Sequence, residues 1–285
     1  MLFRSLFLGE ERPNAACFAV AGPITLEAEG EACGVTNLPW HLDSRVLSKE
    51  LGIKRVKLIN DFQAVGYGIE HLADSDMLTL QAGQALQHGV RAVIGAGTGL
   101  GQCVLVWTGN VYDVISTEGG HADFAPTSDV EFELMKWLQR QHGHVSIERV
   151  ASGTGIASIY KFLCERWPQL LSTALKNAIS DSSDVAATLA TWPEADPLAR
   201  QTLALFAKVY GAQAGNLALT VLPRGGVYIA GGIAAKNIGL MQGGAFMDAF
   251  RNKGRMSQLM DTFPVRIITH PHVGLHGAMY LAARL

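Results

Sequence analysis

The sequence predicts an α/β protein with two lobes and a cleft between them. Strand-like and helical segments alternate along the 285 residues, which is typical of sheets covered by helices. The apolar run at residues 15–21 is nearly continuous, as expected for a strand that is buried on both faces. Hydrophobic residues make up 48% of the chain and charged residues 17%, so it can bury a sizeable core and is not expected to be disordered.

The predicted elements are bounded by glycine, proline and polar turn residues. In the first half they are the end of a helix at 1–9, a strand at 15–21, a loop at 36–40, a helix at 43–51 capped by Asp43 or Ser44, a strand at 55–59, a helix at 62–72, a linker at 73–89, and strands at 91–94, 102–107 and 111–116. In the second half they are helices at 130–141 and 156–166, a polar helical region at 170–197, a long helix at 198–222, a strand at 225–230, a strand at 265–269 and a helix at 274–285.

A glycine-rich segment, Gly95-Ala-Gly-Thr-Gly-Leu-Gly101, joins two of these strands. A Walker loop would require a lysine, and a dinucleotide-binding loop would require Gly-x-Gly-x-x-Gly; neither pattern is present. The backbone N–H groups of a glycine turn can converge on an anion, and Thr98 adds a hydroxyl donor. A glycine-rich hairpin without a ligand is the alternative interpretation.

Polar residues occur where ligands bind in open α/β sheets. Asn60 and Asp61 lie between the carboxyl end of a strand and the amino end of a helix, although an N-cap alone would explain one of them. Glu118 and His121 flank two glycines, and such a pair can hydrogen-bond several hydroxyls of one ligand. A solvated turn is the alternative for this second set.

Composition excludes several classes of function. The 23 Lys and Arg nearly balance the 25 Asp and Glu, so the net charge of −2 gives no reason to expect nucleic acid or an anionic membrane as a partner. The N-terminal apolar run is broken by Arg4 and is too short for a secretory signal, and the uncharged stretch 209–223 is interpreted as a core helix. We therefore expect a cytoplasmic protein that does not cross a membrane.

The cysteines and histidines give no clear metal site. Cysteines occur at positions 17, 33, 103 and 164 without a Cys-x-x-Cys spacing, as expected for free thiols in a reducing compartment. His121, His142 and His144 could gather a metal ion, but no carboxylate or cysteine completes a known ligand pattern. No metal-ligating residues are predicted.

Five motifs in order resemble the bacterial glucokinase family, in its enterobacterial and cyanobacterial branch. They are Leu58-Ile-Asn-Asp-Phe62, Gly95-Ala-Gly-Thr-Gly-Leu-Gly101, Glu118-Gly-Gly-His-Ala-Asp-Phe-Ala-Pro126, Gly143-His-Val-Ser-Ile-Glu-Arg-Val150 and Val227-Tyr-Ile-Ala-Gly-Gly232. The resemblance implies the two-lobed actin-like ATPase (ribonuclease H-like) sugar kinase fold, with residues 1–72 and 271–285 as the small lobe and 73–270 as the large lobe. The other bacterial glucokinase branch carries a zinc-binding cysteine cluster, which this sequence lacks.

The resemblance also implies the activity and the role of each site residue. The reaction is phosphorylation of glucose to glucose 6-phosphate with ATP and Mg²⁺, in glycolysis, by a homodimer. Asp61 would be the general base on the 6-hydroxyl. Asn60, Glu118, His121 and Glu148 would bind the other sugar hydroxyls, Gly97, Thr98 and Gly99 would hold the ATP phosphates, and Gly231 and Gly232 would pass close to the adenosine.

One family motif is missing from the 285 residues. Glucokinases of this family begin with Asp-x-Gly-Gly-Thr, whose aspartate helps to place magnesium, and no such pattern occurs here. We expect an incomplete N-terminal lobe with an exposed sheet edge, reduced stability and weak or no turnover. Met1 as an internal methionine of a longer gene product is the favoured explanation, since the other site residues are intact; a natural short form is the alternative.

Two other functions stay open from the sequence. The first is a non-catalytic sugar-binding or regulatory protein that keeps the sugar residues without phosphoryl transfer. The second is a kinase for another hexose, because several sugars share the hydroxyl pattern that these residues would contact. Product formation that is abolished in Asp61→Asn would distinguish a glucose kinase from the non-catalytic sugar-binding protein. A substrate panel would distinguish a glucose kinase from a kinase for another hexose.

Overall fold

The described residues, 13–28, 30–36, 38–192 and 196–285 of this computed structural model, confirm the α/β class. The strands are β1 (Ala15–Val20), β2 (Thr25–Glu27), β3 (Gly30–Gly34), β4 (His41–Asp43), β5 (Arg55–Asn60), β6 (Met77–Gln81), β7 (Arg91–Ala96), β8 (Leu100–Trp107), β9 (Tyr112–Thr117), β10 (Gly226–Ala230) and β11 (Val265–Ile268). The helices are α1 (Ser44–Leu51), α2 (Asp61–Gly68), α3 (Asp129–His142), α4 (Gly153–Arg166), α5 (Thr173–Ser180), α6 (Val185–Ala190), α7 (Pro197–Val221), α8 (Gly232–Lys236), α9 (Ile238–Gln242), α10 (Ala245–Arg251), α11 (Ser257–Met260) and α12 (Val273–Ala282). The helix predicted at 1–9 lies outside the described residues.

A six-stranded sheet organises most of the chain, in the order β6-β11-β10-β7-β8-β9. Strands β7, β10 and β11 run parallel, whereas β6, β8 and β9 are antiparallel to their neighbours. Side chains alternate across β7: Ile94 belongs to the large core beneath α4 and α7, while Val93 belongs to the core beneath α2 and α12. The two cores fix the sheet from both sides, and the carboxyl ends of β7 and β10 meet at one edge.

Two smaller sheets precede the large one. Strands β1 and β5 form a parallel pair, and β2, β3 and β4 form an antiparallel sheet. Within the described residues, the β1–β5 sheet consists of these two strands alone. Sequence analysis missed the three-stranded sheet, because its strands are only three to five residues long and lack a clear apolar alternation.

The linker predicted at 73–89 is wrong in part, because it contains β6. This strand pairs antiparallel with β11 at the edge of the large sheet. Its register shifts between Val265 and Arg266, which marks a bulge. A single edge strand of five residues within a polar stretch gives a weak sequence signal.

The helices agree with the predicted order, although several of their bounds differ. Helix α2 begins at Asp61 rather than residue 62 and ends at Gly68, after which a 3₁₀ turn continues to His71. The helical region predicted at 170–197 is two short helices, α5 and α6, rather than one. Asp43 is the N-cap of α1, since its side chain accepts hydrogen bonds from the backbone of Arg45 and Val46.

The long helix α7 packs closely against α10, as its small residues predict. A Cβ atom at Gly211 would lie 2.0 Å from the carbonyl oxygen of Phe246, so only glycine permits this approach. Among the described helices, none is long and apolar enough to cross a membrane.

Candidate functional site

Asn60 and Asp61 lie at the junction of β5 and α2, as predicted. Asn60 is the N-cap: its Oδ1 accepts hydrogen bonds from the backbone N–H of Phe62 (2.9 Å) and Gln63 (3.3 Å). Its Nδ2 donates to the carbonyl of Gly22 at 3.2 Å. These bonds use the amide oxygen twice and one amide hydrogen, so the second hydrogen of Nδ2 is available to a ligand.

Asp61 occupies the first turn of α2 with one carboxylate oxygen engaged. Its Oδ1 accepts the N–H of Phe62 at 2.8 Å. The carboxylate is open to solvent, but the protein that surrounds it removes part of its hydration. This desolvation raises the pKa of Asp61 and outweighs the hydrogen bond from Phe62, which lowers it. The pKa of buried Cys33 is also raised, first by burial and then by the charge of Asp61, so β3 lies close to this carboxylate.

Phe62 places Asp61 beside the glycine loop. A Cβ atom at Gly101 would lie 1.9 Å from Cδ2 of the Phe62 ring, and one at Gly95 would lie 2.7 Å from its Cζ. The carbonyl of Phe62 also accepts a hydrogen bond from Sγ of Cys103 at 3.2 Å. Glycines at these positions therefore let the start of α2 rest directly on β7 and β8.

The second predicted loop forms a 3₁₀ turn at Gly119–His121. Glu118 Oε2 and His121 Nε2 lie 3.8 Å apart, and both side chains are more than half exposed. A Cβ at Gly120 would lie 2.0 Å from the carbonyl oxygen of Leu100, so this turn packs on the start of β8. The two polar side chains project together from a turn that the backbone holds in place.

Glu148 lies in a 3₁₀ turn, Ile147–Arg149, that is hydrogen-bonded to the Glu118 loop. The N–H of Ile147 donates to the carbonyl of Ala122 at 2.8 Å, and the N–H of Phe124 donates to the carbonyl of Val145 at 2.9 Å. The structure thus brings three predicted sugar-binding residues, Glu118, His121 and Glu148, onto two joined segments.

The predicted phosphate loop is a three-residue connection, 97–99, between β7 and β8. The N–H of Gly97 donates to the carbonyl of Gly99 at 2.8 Å, and the carbonyl of Gly97 accepts the N–H of Gly153 at 2.8 Å. Thr98 is exposed at its tip. This loop is a strand-to-strand turn, as predicted, and it contacts the amino end of α4.

Gly231 and Gly232 follow β10 next to this loop. Gly231 has a φ of +87°, and a Cβ there would lie 2.4 Å from the carbonyl oxygen of Ala96. Both facts require glycine. Gly97, Thr98 and Gly232 line one cavity of about 550 Å³ together with residues of α4, α6, α8 and α9, a size in the usual range for small-ligand sites.

Sequence reasoning missed several residues of this cavity. Asp184, Lys236, Ser183 and Asn237 contribute polar side chains to it. Lys236 is the only cationic residue among those that line it, and it lies one helical turn after Gly232. That spacing behind the glycine pair is the sequence signal that could have found it.

Other features do not coincide with the predicted site. A larger cavity of about 710 Å³ lies among α3, α4, α7 and α10 and contains none of the predicted site residues. His144 Nε2 lies 2.7 Å from Asp123 Oδ1. Within the described ranges, no group of three or more His, Cys, Asp or Glu residues is arranged to hold a metal ion.

Sequence comparison places the chain among known relatives. The family model Glucokinase matches residues 3–285. A glucokinase from Trichormus variabilis is 46% identical over 297 aligned positions, which cover 96% of this chain and 83% of the relative.

Solved structures show the same fold. A glucokinase from an Antarctic psychrotroph superposes with a TM-score of 0.80 and 31% identity, covering 100% of this chain and 84% of that one. A glucokinase from Balamuthia mandrillaris, solved in complex with glucose, superposes with a TM-score of 0.82 at 24% identity, covering 98% of this chain and 80% of that one.

Proposed function

The chain belongs to the glucokinase family, and on that premise we propose that it transfers the terminal phosphoryl group of ATP to the 6-hydroxyl of glucose. The observation that carries this proposal is the position of Asp61. Phe62, the next residue, packs on Gly95 and Gly101 at the two ends of the glycine loop. This packing holds the start of α2, which carries the Asp61 carboxylate, against the strands that flank the proposed phosphate-binding turn.

Asp61 acts as the general base. A sugar hydroxyl is a weak nucleophile, and phosphoryl transfer depends chiefly on alignment and on stabilisation of charge. Oδ1 of Asp61 is held by the N–H of Phe62, which leaves Oδ2 to accept the proton of the 6-hydroxyl. The raised pKa brings this carboxylate closer to the basicity that the task requires.

The other hydroxyls of glucose are bound by Asn60, Glu118, His121 and Glu148. Asn60 is restricted to donating through Nδ2, because its Oδ1 is occupied by two backbone N–H groups. Glu118 and Glu148 supply acceptors, and His121 supplies a ring nitrogen. Acceptors placed around one sugar disfavour analogues that lack a hydroxyl, since the acceptors would lose their partners.

We assign ATP to the cavity of about 550 Å³ because of the residues that line it. Gly97, Thr98 and Gly99 would contact the phosphates through backbone N–H groups and one hydroxyl. Gly231 and Gly232 let the backbone approach the adenosine, and Lys236 supplies positive charge at the wall. Magnesium is commonly held by the nucleotide phosphates, water and one or two carboxylates rather than by a full protein cage.

We also propose the arrangement of the molecule. Residues 1–72 with 271–285 form the small lobe, residues 73–270 form the large lobe, and closure over the bound substrates excludes water from the reaction. The protein is a cytoplasmic glycolytic homodimer. Light scattering on the purified chain tests the dimer, since a molar mass near the 30.5 kDa of one chain would contradict it.

The decisive experiment compares glucose 6-phosphate formation by the chain and by Asp61→Asn. The 285 residues contain no Asp-x-Gly-Gly-Thr pattern, so we expect turnover to be weak, and we expect the variant to reduce it by about 10²–10⁴-fold. Asp74→Asn, on an exposed 3₁₀ turn outside the proposed site, is the matched control and should retain turnover.

Each alternative function gives a distinct result. Glucose binding by calorimetry without product formation would favour a sugar-binding protein. Faster turnover of another hexose in a substrate panel would favour a different sugar kinase. If Asp61→Asn forms glucose 6-phosphate as fast as the unaltered chain, the proposed role of Asp61 is contradicted.

A further inference from the structure

Glu148 contacts the glycine loop directly. Its Oε2 accepts a hydrogen bond from the backbone N–H of Leu100 at 2.8 Å. Leu100 is the first residue after the three-residue loop, so this carboxylate fixes the point where the loop enters β8. Charge-assisted hydrogen bonds of this kind are among the stronger ones.

A second connection holds the other side of the loop. The carbonyl of Gly97 accepts the N–H of Gly153 at 2.8 Å. Ser152 Oγ donates to the carbonyl of Glu148 at 2.7 Å and accepts the N–H of Gly155 as the N-cap of α4. The segment 148–153 therefore holds the loop at both ends, through a side chain at one end and the backbone at the other.

We propose that Glu148 couples the sugar subsite to the nucleotide subsite. One carboxylate oxygen, Oε2, holds the loop, while Oε1 is directed to a sugar hydroxyl in the function proposed above, on which this inference rests. A shift of Glu148 that accompanies sugar binding then moves Leu100 and the loop, and a shift of the loop moves Glu148. Glu148 is a positioning residue for the nucleotide as well as a ligand of the sugar.

Gly99 is the position where this coupling can be tested. A Cβ at Gly99 would lie 2.5 Å from Glu148 Oε2 and 3.3 Å from its Cδ, so alanine there must displace the carboxylate. Gly97 is the matched control in the same loop, because a Cβ there would meet nothing within 4 Å. Neither glycine has a positive φ, so alanine is compatible with both backbones.

The first experiment measures glucose affinity by calorimetry in the absence of nucleotide. We expect Gly99→Ala to weaken glucose binding by about five-fold or more, and Gly97→Ala to change it by less than about two-fold. A loop that served only the phosphates would give the same glucose affinity in both variants, because no phosphate is present. Circular dichroism and thermal unfolding of each variant establish that it is folded.

The second experiment measures the reciprocal effect. Glu148→Ala removes the acceptor for Leu100, and we expect it to weaken binding of a non-hydrolysable ATP analogue with magnesium by about five-fold or more when glucose is absent. Glu118→Ala is the matched control: its carboxylate has the same proposed role toward glucose, but its contact within the described residues is with His121. We expect it to leave binding of the analogue unchanged.

The outcomes separate this inference from the function on which it rests. If the unaltered chain binds glucose and Gly99→Ala binds it with the same affinity, the coupling alone is overturned. No glucose binding by the unaltered chain would overturn the sugar-kinase assignment and the coupling with it. If Gly99→Ala does not fold, the Glu148→Ala and Glu118→Ala pair decides, and equal affinity of both for the analogue would overturn the coupling.

Discussion

Asp61 shows how a single carboxylate is prepared for chemistry by its position. Its backbone begins α2, and its Oδ1 accepts the N–H of the next residue. Desolvation nevertheless raises its pKa above the ordinary value of 3.8. The ionised form of Asp61 is therefore less favourable in the folded chain than in water, and this is the form that a general base requires.

We expect the pH dependence of kcat/KM for glucose to report this shift. Because the base must be deprotonated and its pKa is raised, activity should fall on the acid side at a pH above 3.8. The measurement is kcat/KM at saturating MgATP across the acid range. An acid limb at or below the ordinary aspartate value would contradict the assignment.

Two controls isolate Asp61 in that profile. Activity recovered at neutral pH after incubation at each acid pH excludes unfolding as the cause. The variant His121→Asn removes the imidazole of the proposed sugar subsite, and the acid limb should persist in it if Asp61 is the titrating group.

Glu131 is a buried carboxylate that forms an ion pair with Lys208, and this pair is expected to contribute to stability. Glu131 is 2% exposed; its Oε1 lies 2.6 Å from Lys208 Nζ, and its Oε2 accepts hydrogen bonds from the backbone N–H and hydroxyl of Thr127. Burial tends to raise the pKa of Glu131, but the bonds from Lys208 and Thr127 outweigh it, and the pKa is lowered below 4.5. The pair joins the start of α3 to the middle of α7.

We expect Glu131→Gln to lower the free energy of unfolding by about 1–3 kcal/mol at pH 7. A lowered pKa in the folded state means that the ionised carboxylate contributes stability above pH 4.5 and loses it as the pH falls through the folded pKa. The difference between variant and parent in urea unfolding should therefore shrink below that pH. A difference that is constant with pH would show that charge is not its cause.

The sequence predicted the positions of Asn60 and Asp61 in the fold better than the hydrogen bonds that each side chain makes. Asn60 and Asp61 were placed correctly at the strand–helix junction, but which of them caps α2 depends on side-chain geometry that spacing does not encode; the cap is Asn60. Lys236 was missed because a lysine in a short helix is usually a solvated residue. The contact between Glu148 and Leu100 joins residues 48 positions apart and has no local signal.

Glycines at helix contacts decide how closely α2 and α12 approach. A Cβ at Gly277 of α12 would lie 1.9 Å from the carbonyl oxygen of Ala64, and one at Gly68 of α2 would lie 2.0 Å from the carbonyl oxygen of Val273. Each helix thus supplies a glycine that faces the backbone of the other. The pair packs at a backbone separation that no larger residue permits.

We expect Gly277→Ala to destabilise the protein by about 1–3 kcal/mol, because α12 must move away from α2. Gly274→Ala is a matched control in the same helix: a Cβ there would lie 3.6 Å from Val65 Cγ2, an ordinary contact, and alanine favours the helix by up to about 1 kcal/mol. The thermal unfolding midpoint should fall in Gly277→Ala, whereas in Gly274→Ala it should rise or stay unchanged. Equal losses would mean that the helix contact is looser than described.

The long helices and the buried apolar strands were predictable, and four short strands were not. Helix α7 was predicted within one residue at each end, since its 25 residues begin at an Asp-Pro cap and continue without a break. Strands β2, β3, β4 and β6 were missed because pairing with distant partners, rather than local pattern, makes them strands. Strand β6 pairs with β11, far away in sequence, and nothing near residue 77 indicates that partner.

At the scale of the whole molecule, α2 belongs to two packing systems. It packs on α12 through the glycine contacts, and it also rests on the large sheet: Gln63 Nε2 donates to the carbonyl of Val114 at 2.9 Å, and the hydroxyl of Tyr67 donates to Asp113 Oδ1 at 3.0 Å. Because α2 starts with the proposed base, the proposed site is built on a helix that contacts both α12 and the large sheet. Loss of packing on either side of α2 should therefore disturb the other.

We expect the described parts of the chain to unfold in one cooperative transition, with glucose stabilising all of it. Binding only to the folded state adds about 2.7 kcal/mol at a glucose concentration of 100 times Kd, which should raise the midpoint by about 5–10 °C. The measurement is thermal unfolding followed by circular dichroism and by tryptophan fluorescence, with and without glucose. Transitions that coincide by both methods and shift together when glucose is added would support α2 as the helix that packs on both α12 and the large sheet. Two transitions, of which glucose shifts only one, would mean that the proposed small and large lobes unfold independently and that the contacts of α2 with α12 and the large sheet do not couple them.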